Sequence, residues 1–207
     1  MSNILFVTSS SRGNASYSNQ IANRVIAELR EKDPSANLVV RDLAQNPLPH
    51  IDSDFISATR GPGPQTDKQR ALVAQSDALV DELFAADTLV IATAMINFSV
   101  PSNLKAWIDY VARPGRTFKY SEKGPEGLVT GKRIILVSAT GGIYSAGAAA
   151  AADSQVPWLK TVLGFLGMTN VEVIHVEGTA FGPEAAEKAV QAAAARARDV
   201  ASASLAA

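Results

Sequence analysis

Ile4-Leu5-Phe6-Val7 runs straight into Thr8-Ser9-Ser10-Ser11-Arg12-Gly13-Asn14-Ala15-Ser16-Tyr17-Ser18-Asn19, after which Ile21, Val25 and Leu29 recur at four-residue spacing. A short apolar run, a loop crowded with hydroxyls and a helical periodicity spell strand, turn and helix. The apolar run shows no polar alternation, as expected of a strand buried on both faces of a parallel sheet. The loop has neither the G-x-G-x-x-G of a dinucleotide fold nor the Lys-Ser/Thr ending of a P-loop.

The same alternation continues along the chain. Leu38-Val39-Val40 is a second strand ending in Arg41-Asp42-Leu43. Residues 46–65, with Pro47, Pro49, Pro62 and Pro64, read as a long irregular connection. Thr66 and Gln69 form a capping box for a helix to about Phe84. Leu89-Val90-Ile91 is a third strand, and Pro101 opens a helix whose face carries Leu104, Trp107, Ile108 and Val111. Residues 113–131 form a Gly-rich excursion with room for a small hairpin, and Ile134–Val137 is a fourth strand. Beyond Gly141-Gly142 comes an alanine-rich stretch, Ala146 to Ala152, then a helix with Val156, Leu159, Val162, Leu163 and Leu166 closed by Gly167. Val171–Ile174 is the fifth strand, and Gly182-Pro183-Glu184 starts a last, alanine-rich helix.

Parallel strands need crossover helices, so five strands with intervening helices predict an α/β fold with helices on both faces. Of the two common doubly wound orders, five strands match the flavodoxin-like 2-1-3-4-5. No repeat or linker divides the chain, and residues 1–207 are expected to form a single domain. In such sheets ligands bind beyond the carboxyl ends of the strands, at the switch in strand order. The loops after the first, third and fourth strands are therefore the ones to read for function.

Composition narrows the chemistry. The 207 residues are 47% hydrophobic and 19% charged, which fits a folded globular protein. A net charge of −1 gives no general attraction to nucleic acid or an anionic membrane, and no apolar stretch approaches a membrane span. The N-terminus has no basic region ahead of its apolar run, so the expected location is the cytoplasm. With no cysteine, disulfides, iron–sulfur clusters and thiolate nucleophiles are excluded. His50 and His175 lie far apart without metal-ligand spacing.

In the first loop, backbone N–H groups at a helix start attract a phosphate, with Ser10, Ser16 and Ser18 as hydroxyl donors and Arg12 as a charge. A solvated Ser-rich turn with an ordinary helix cap is the alternative. After the third strand, Met95-Ile96-Asn97-Phe98-Ser99-Val100 is unusually apolar for a sheet rim, which suits a planar ring with Asn97 at its edge. Packing beneath the next helix is the competing explanation.

On these residues the chain resembles the FMN-dependent NAD(P)H azoreductases, also described as NAD(P)H:quinone oxidoreductases, of the flavodoxin-like superfamily. The resemblance covers nearly the full length. It is carried by Ser9-Ser10 with Ser16–Gln20, Arg41-Asp42-Leu43 with Asn46-Pro47, and Met95–Phe98. Gly115–Phe118, Gly124–Leu128, Leu163-Gly164-Phe165, and Glu177-Gly178 with Gly182-Pro183-Glu184 complete it. It implies FMN phosphate at Ser10, Ser16, Tyr17 and Ser18, and the flavin ring at Met95, Ile96, Asn97 and Phe98. Ala139, Thr140, Gly141 and Gly142 would hold the ring's other edge, with Tyr144 as a donor where relatives often carry His. Ile96 stands where Tyr is frequent, Ala94 where Pro is frequent, and Ala139-Thr140 replaces a common Ser-Arg.

The resemblance also implies NADH or NADPH as donor, quinones and aromatic azo compounds as acceptors, and ping-pong kinetics. It implies a homodimer with shared active sites; from the charge and the lack of an apolar span, neither a nucleic-acid nor a membrane partner is expected. The excursion Arg113–Lys132 reads alone as a mobile surface flap; the resemblance makes it a wall of the site, with Phe118 and Tyr120 facing the substrate alongside Phe98. Phe165 is a wall candidate from the partner copy or, equally, a core residue. The flavin carries the hydride chemistry, so no catalytic side chain is expected. His50, His175 and Asp109 read as a solvated, a structural and a salt-bridged residue. Two other readings stand beside this one: a flavodoxin-like electron carrier without its own NAD(P)H oxidation, and a hydrolase using the Ser-rich loop. The hydrolase lacks a base placed to activate those serines.

Overall fold

The computed structural model describes residues 2–203. Its elements, in chain order, are β1 (Asn3–Thr8), α1 (Tyr17–Lys32), β2 (Asn37–Asp42), α2 (Ser53–Arg60) and α3 (Asp67–Ala85). Then come β3 (Thr88–Ala94), α4 (Ser102–Val111), β4 (Phe118–Ser121), β5 (Gly124–Gly127), β6 (Arg133–Ala139), α5 (Val156–Phe165), β7 (Val171–Val176) and α6 (Pro183–Ser202). Five strands make one parallel sheet in the order β2-β1-β3-β6-β7. Counting sheet strands alone, that is the expected 2-1-3-4-5. β4 and β5 form a separate antiparallel hairpin.

Side-chain alternation on the central strands builds two cores. Ile4, Phe6, Val90, Ile135 and Val137 point to one face, where Ile21, Val25 and Ile26 of α1 and Ala193, Ala197 and Val200 of α6 cover them. Leu5, Val7, Leu89, Ile91, Ile134 and Leu136 point to the other, under Leu79 and Leu83 of α3, Leu104 and Trp107 of α4, and Leu159 and Leu163 of α5. Each fully buried aliphatic side chain contributes roughly 1.5–3 kcal/mol. The central strands are buried on both faces and read as unbroken apolar runs for that reason.

Four local expectations change. The connection 46–65 is not irregular throughout, since it holds α2, capped by Asp52 accepting from the Phe55 N–H and anchored by Phe55, whose ring lies 4.5 Å from that of Tyr110. Its Ser- and Thr-rich sequence between prolines hides the helix; burial of Phe55 and Ala58 stabilises it instead of propensity. Thr66 does cap α3, but the Gln69 side chain accepts from the Gln65 N–H, not from that of Thr66, so the reciprocal half of the box is shifted by one residue. Pro101 is the residue before α4, not its first helical residue.

The fourth change concerns 113–132, which is anchored at its base and does not stand free as a flap. Arg113 pairs with Asp77 and donates to Ser76, Arg116 pairs with Asp77 and Asp81, and the Thr117 hydroxyl donates to the Val111 carbonyl. Phe118 and Val129 lie in the core. Among the described residues, no helix is long and apolar enough to cross a membrane.

Candidate functional site

The register Thr8↔Ala92 and Ala94↔Ala139 brings the loops after β1, β3 and β6 to one end of the sheet. The loop after β1 is a single turn of 3-10 helix, Gly13–Ala15, held by Asn19. The Asn19 amide donates to the Gly13 carbonyl and its carbonyl accepts from Thr8 Oγ1 at 2.6 Å. Ser16 caps α1 by accepting from the Asn19 N–H, and its Oγ lies 3.0 Å from Ser18 Oγ. Among the described residues nothing accepts the Tyr17 and Ser18 N–H groups. Unpaired N–H groups, two hydroxyls and the α1 dipole together make an anion site. Arg12 lies over the Tyr17 ring at 5.7 Å.

The loop after β3 is a two-residue turn. Ser99 N–H donates to the Ile96 carbonyl and Ile96 N–H to that of Ser99, while Asn97 (φ 48°) and Phe98 (φ 69°) both sit in the left-handed region. That is a type I′ geometry, which ordinarily selects Asn-Gly. Asn tolerates it; Phe does so only under strain, roughly 1–2 kcal/mol. Strain of this kind is held in place by its surroundings and collects at functional sites. The Asn97 and Phe98 N–H groups have no acceptor among the described residues. Ile96 and Phe98 are 52% and 55% exposed, an uncommon state for such side chains on a rigid turn.

Across from this turn, Thr140 Oγ1 donates to the Gly142 carbonyl, and Tyr144 meets Phe98 edge-on at 6.2 Å. Gly142 faces the Tyr144 ring, which a Cβ there would meet at 3.1 Å. Glu177 clamps this loop: it accepts from the Tyr144 N–H, the Ser145 N–H and the Ser145 hydroxyl. Burial alone would raise its pKa, but those hydrogen bonds outweigh it and hold the carboxyl below its ordinary range.

Between the loops runs a narrow cleft of about 110 Å³ lined by Ser10, Ser16, Tyr17, Met95, Ala139, Thr140 and Gly141. It adjoins a cavity of about 450 Å³ that shares Ser10 and Arg12 and passes Ile96 to reach Leu43 and Pro47. Of the residues expected for phosphate and ring, Ser10, Ser16, Tyr17, Met95, Ile96, Ala139, Thr140 and Gly141 line these two spaces at the sheet switch, while Ser18, Asn97, Phe98, Gly142 and Tyr144 lie on the same loops without lining them. Phe118 and Phe165 line neither cavity; Phe118 lies in the core and Phe165, partly buried, packs on it at 4.5 Å. Tyr120 is 73% exposed at the hairpin tip. His50 is exposed, His175 lies in β7 and Asp109 pairs with Lys105. Glu177, Thr179, Ser154 and Gln155 stand beside these loops with no signature in the sequence; hydroxyls, amides and carboxylates scattered along a chain give no signal until the fold brings them together. A second apolar cavity, about 420 Å³, lies at the opposite end of the sheet beside Asn3 and Asn37, remote from these groups.

The donor set fits a flavin mononucleotide: one anion site sized for a single phosphate, an apolar bed, and N–H donors at its edge. A model of the family described as "Flavodoxin-like fold" matches residues 2–201. An FMN-dependent NADH:quinone oxidoreductase of Agrobacterium fabrum is 54% identical over 204 residues, 98% of this chain and all of that protein. A protein of Rhizobium etli called FMN-dependent NADH:quinone oxidoreductase 1 is 55% identical over 97% of this chain and 98% of its own. Among solved structures, an azoreductase from Bacillus anthracis superposes with a TM-score of 0.90 at 33% identity, covering 97% of this chain and 99% of that one. An FMN-dependent NADH-azoreductase of the same species, solved with FMN, gives 0.89 at 25% identity over 98% of each chain.

Proposed function

Since the chain belongs to the flavodoxin-like family of FMN-dependent NADH:quinone oxidoreductases and azoreductases, we propose that it passes hydride from NADH to quinones and aromatic azo compounds in one shared slot. It is an oxidoreductase with FMN as cofactor and NADH as donor. The observation that carries the reading is the pairing of an anion site at the start of α1 with the strained Asn97–Phe98 turn at the switch of the sheet. When bound, FMN supplies the hydride chemistry.

The chain's own residues bind and orient. Tyr17 and Ser18 N–H groups, with the Ser16 and Ser18 hydroxyls, would hold the phosphate. Met95, Ile96 and Phe98 would form the apolar bed, with Ala139 to Gly142 closing its far edge. The Asn97 and Phe98 N–H groups would donate to the ring's polar rim, and the Tyr144 side would limit how thick a planar partner enters. A slot this narrow admits one flat molecule at a time, so the nicotinamide leaves before the acceptor enters. NADPH is included among the donors proposed, because Arg12 lines the cleft and no carboxylate lines it that would repel a further phosphate. The proposal extends to a homodimer in which Tyr120 of each copy reaches the other's slot.

The test is direct. The purified protein should absorb in the visible as a flavin, release FMN and not FAD on heating, and bleach at once when NADH is added. Flavin that stays oxidised under NADH would favour the electron carrier, and colourless protein that cannot be reconstituted with FMN would refute both.

A further inference from the structure

The strained turn at Ile96–Ser99 does not hold itself. Directly behind it lies Gln155, wholly buried, at the residue preceding α5. Its side-chain carbonyl accepts from Ser138 Oγ on β6 at 2.6 Å, and its amide nitrogen donates to the Ser99 carbonyl at 3.4 Å. The residue before it adds a third tie, from Ser154 N–H to the Phe98 carbonyl at 2.9 Å. Asp153 fixes this segment in turn, its carboxylate accepting from the Gln155 and Val156 N–H groups at 2.8 and 3.1 Å. Residues 153–155 therefore bracket the turn against the central sheet.

Two consecutive left-handed residues with side chains would relax toward an ordinary turn if released. Relaxation would rotate the Asn97 and Phe98 peptides, which carry the N–H groups left without acceptors. It would also move the Phe98 ring relative to Tyr144, which it meets edge-on at 6.2 Å. A buried amide spent on one strand hydroxyl and one turn carbonyl has no exposed role, and a hydrocarbon of the same length would fill its space. Its hydrogen bonds serve the turn.

We propose that Gln155 is a positioning residue for the flavin: through Ser99 it fixes the strained Asn97–Phe98 turn, and so sets both FMN affinity and the flavin's reduction potential. This rests on the FMN reading above. Fixed N–H donors at the ring edge favour the electron-rich reduced form, so loosening them moves the potential to lower values.

The variants are Gln155→Met, which keeps length and loses both hydrogen bonds, and Ser138→Ala, which cuts the same link from β6. Flavin-free proteins are titrated with FMN, their thermal midpoints are recorded, and the reconstituted proteins are equilibrated with redox dyes. Each variant should bind FMN about tenfold more weakly, the order expected for one buried hydrogen bond. Each should show a lower midpoint potential. The double variant should be no weaker than Gln155→Met alone, because both substitutions break one connection. Wild-type affinity and potential in either variant would overturn the proposal, as would a fall in thermal midpoint with FMN binding unchanged. If Gln155→Met does not fold, Ser138→Ala decides by the same two readouts. Failure of the wild-type apoprotein to bind FMN would overturn the functional reading first, before any variant is compared.

Discussion

Gly127→Ala should disable the β4–β5 hairpin more than any other single methyl in the chain. A Cβ built on Gly127 lies 2.1 Å from the Gly167 nitrogen, 2.3 Å from the Leu166 carbonyl carbon and 2.5 Å from the Gly167 Cα. All three are backbone atoms, so no rotamer change relieves the clash. Ordinary contact begins near 3.4 Å, and the hairpin base must therefore move away from the end of α5 by more than an ångström. That shift breaks the hydrogen bond from Val129 N–H to the Leu166 carbonyl, now 2.9 Å, and strains that from Leu128 N–H to Thr117. Overpacking costs about 1–3 kcal/mol and a lost backbone hydrogen bond about 1 kcal/mol more, giving roughly 2–4 kcal/mol. For a chain of this length that is a fall of about 5–15 °C in thermal midpoint. Gly124→Ala is the control: φ is +103° but nothing lies within 4 Å, so only backbone strain of about 1–2 kcal/mol is added. Differential scanning calorimetry of both variants checks the ranking. A Gly127→Ala protein within about 2 °C of wild type would show that the hairpin base is not packed on α5 as described.

Four further outcomes are expected. Ser18→Ala should weaken FMN binding by about tenfold or more, and exposed Ser11→Ala by less than about twofold, because only Ser18 sits at the start of α1 with a hydroxyl in the donor set; equal affinities by fluorescence titration would remove the phosphate from this loop. The Glu177 carboxyl is depressed below its ordinary 4.5, so its stabilisation is complete above about that pH and is lost as pH falls through the lower folded value; Glu177→Gln should flatten the acid limb of urea stability between about pH 5 and 3, and an unchanged limb would show that the clamp is not titrating. Initial rates against NADH at several quinone concentrations should give parallel double-reciprocal lines, with intersecting lines pointing to a ternary complex, and light scattering should give about twice the 21.7 kDa chain mass.

The fold was largely legible because its strands are short, buried on both faces and separated by strong helical periodicity. Ile4–Val7 and Ile134–Val137 announce themselves, and the order of the sheet follows from crossover rules. The hydroxyl-rich start of α1 was legible too, since a helix start crowded with Ser is a local signal. What was hidden depends on tertiary contact. α2 has weak helix formers and exists because Phe55 finds Tyr110. The positive φ of Phe98 has no sequence signature, since Phe is among the residues least suited to it. Gln155 and Glu177 look like any surface amide and acid until strands β6 and β7 carry their loops to the same end. The aromatic candidates divide the same way: nothing in the sequence shows that Phe118 turns inward, whereas a core position was one of the two readings of Phe165, which packs partly buried against it.

That inward turn changes what the three aromatics can do together. Phe165 leans on Phe118 at 4.5 Å, and Phe118 meets Tyr120 edge-on at 5.6 Å. The rings form a row from the core to the surface, ending in the one that is exposed. Two of them support and one presents. The base of the hairpin is fixed at Gly127, Val129 and Arg113, so Tyr120 is exposed on a rigid mount, and not on a segment free to fold back over its own cleft. A large aromatic held outward in this way loses little entropy when it is covered, which suits it to a contact between copies. Among the described residues neither Phe118 nor Phe165 lines the cleft. In the proposed dimer the exposed face of Tyr120, backed by Phe118 in its own chain, would cover the other copy's cleft.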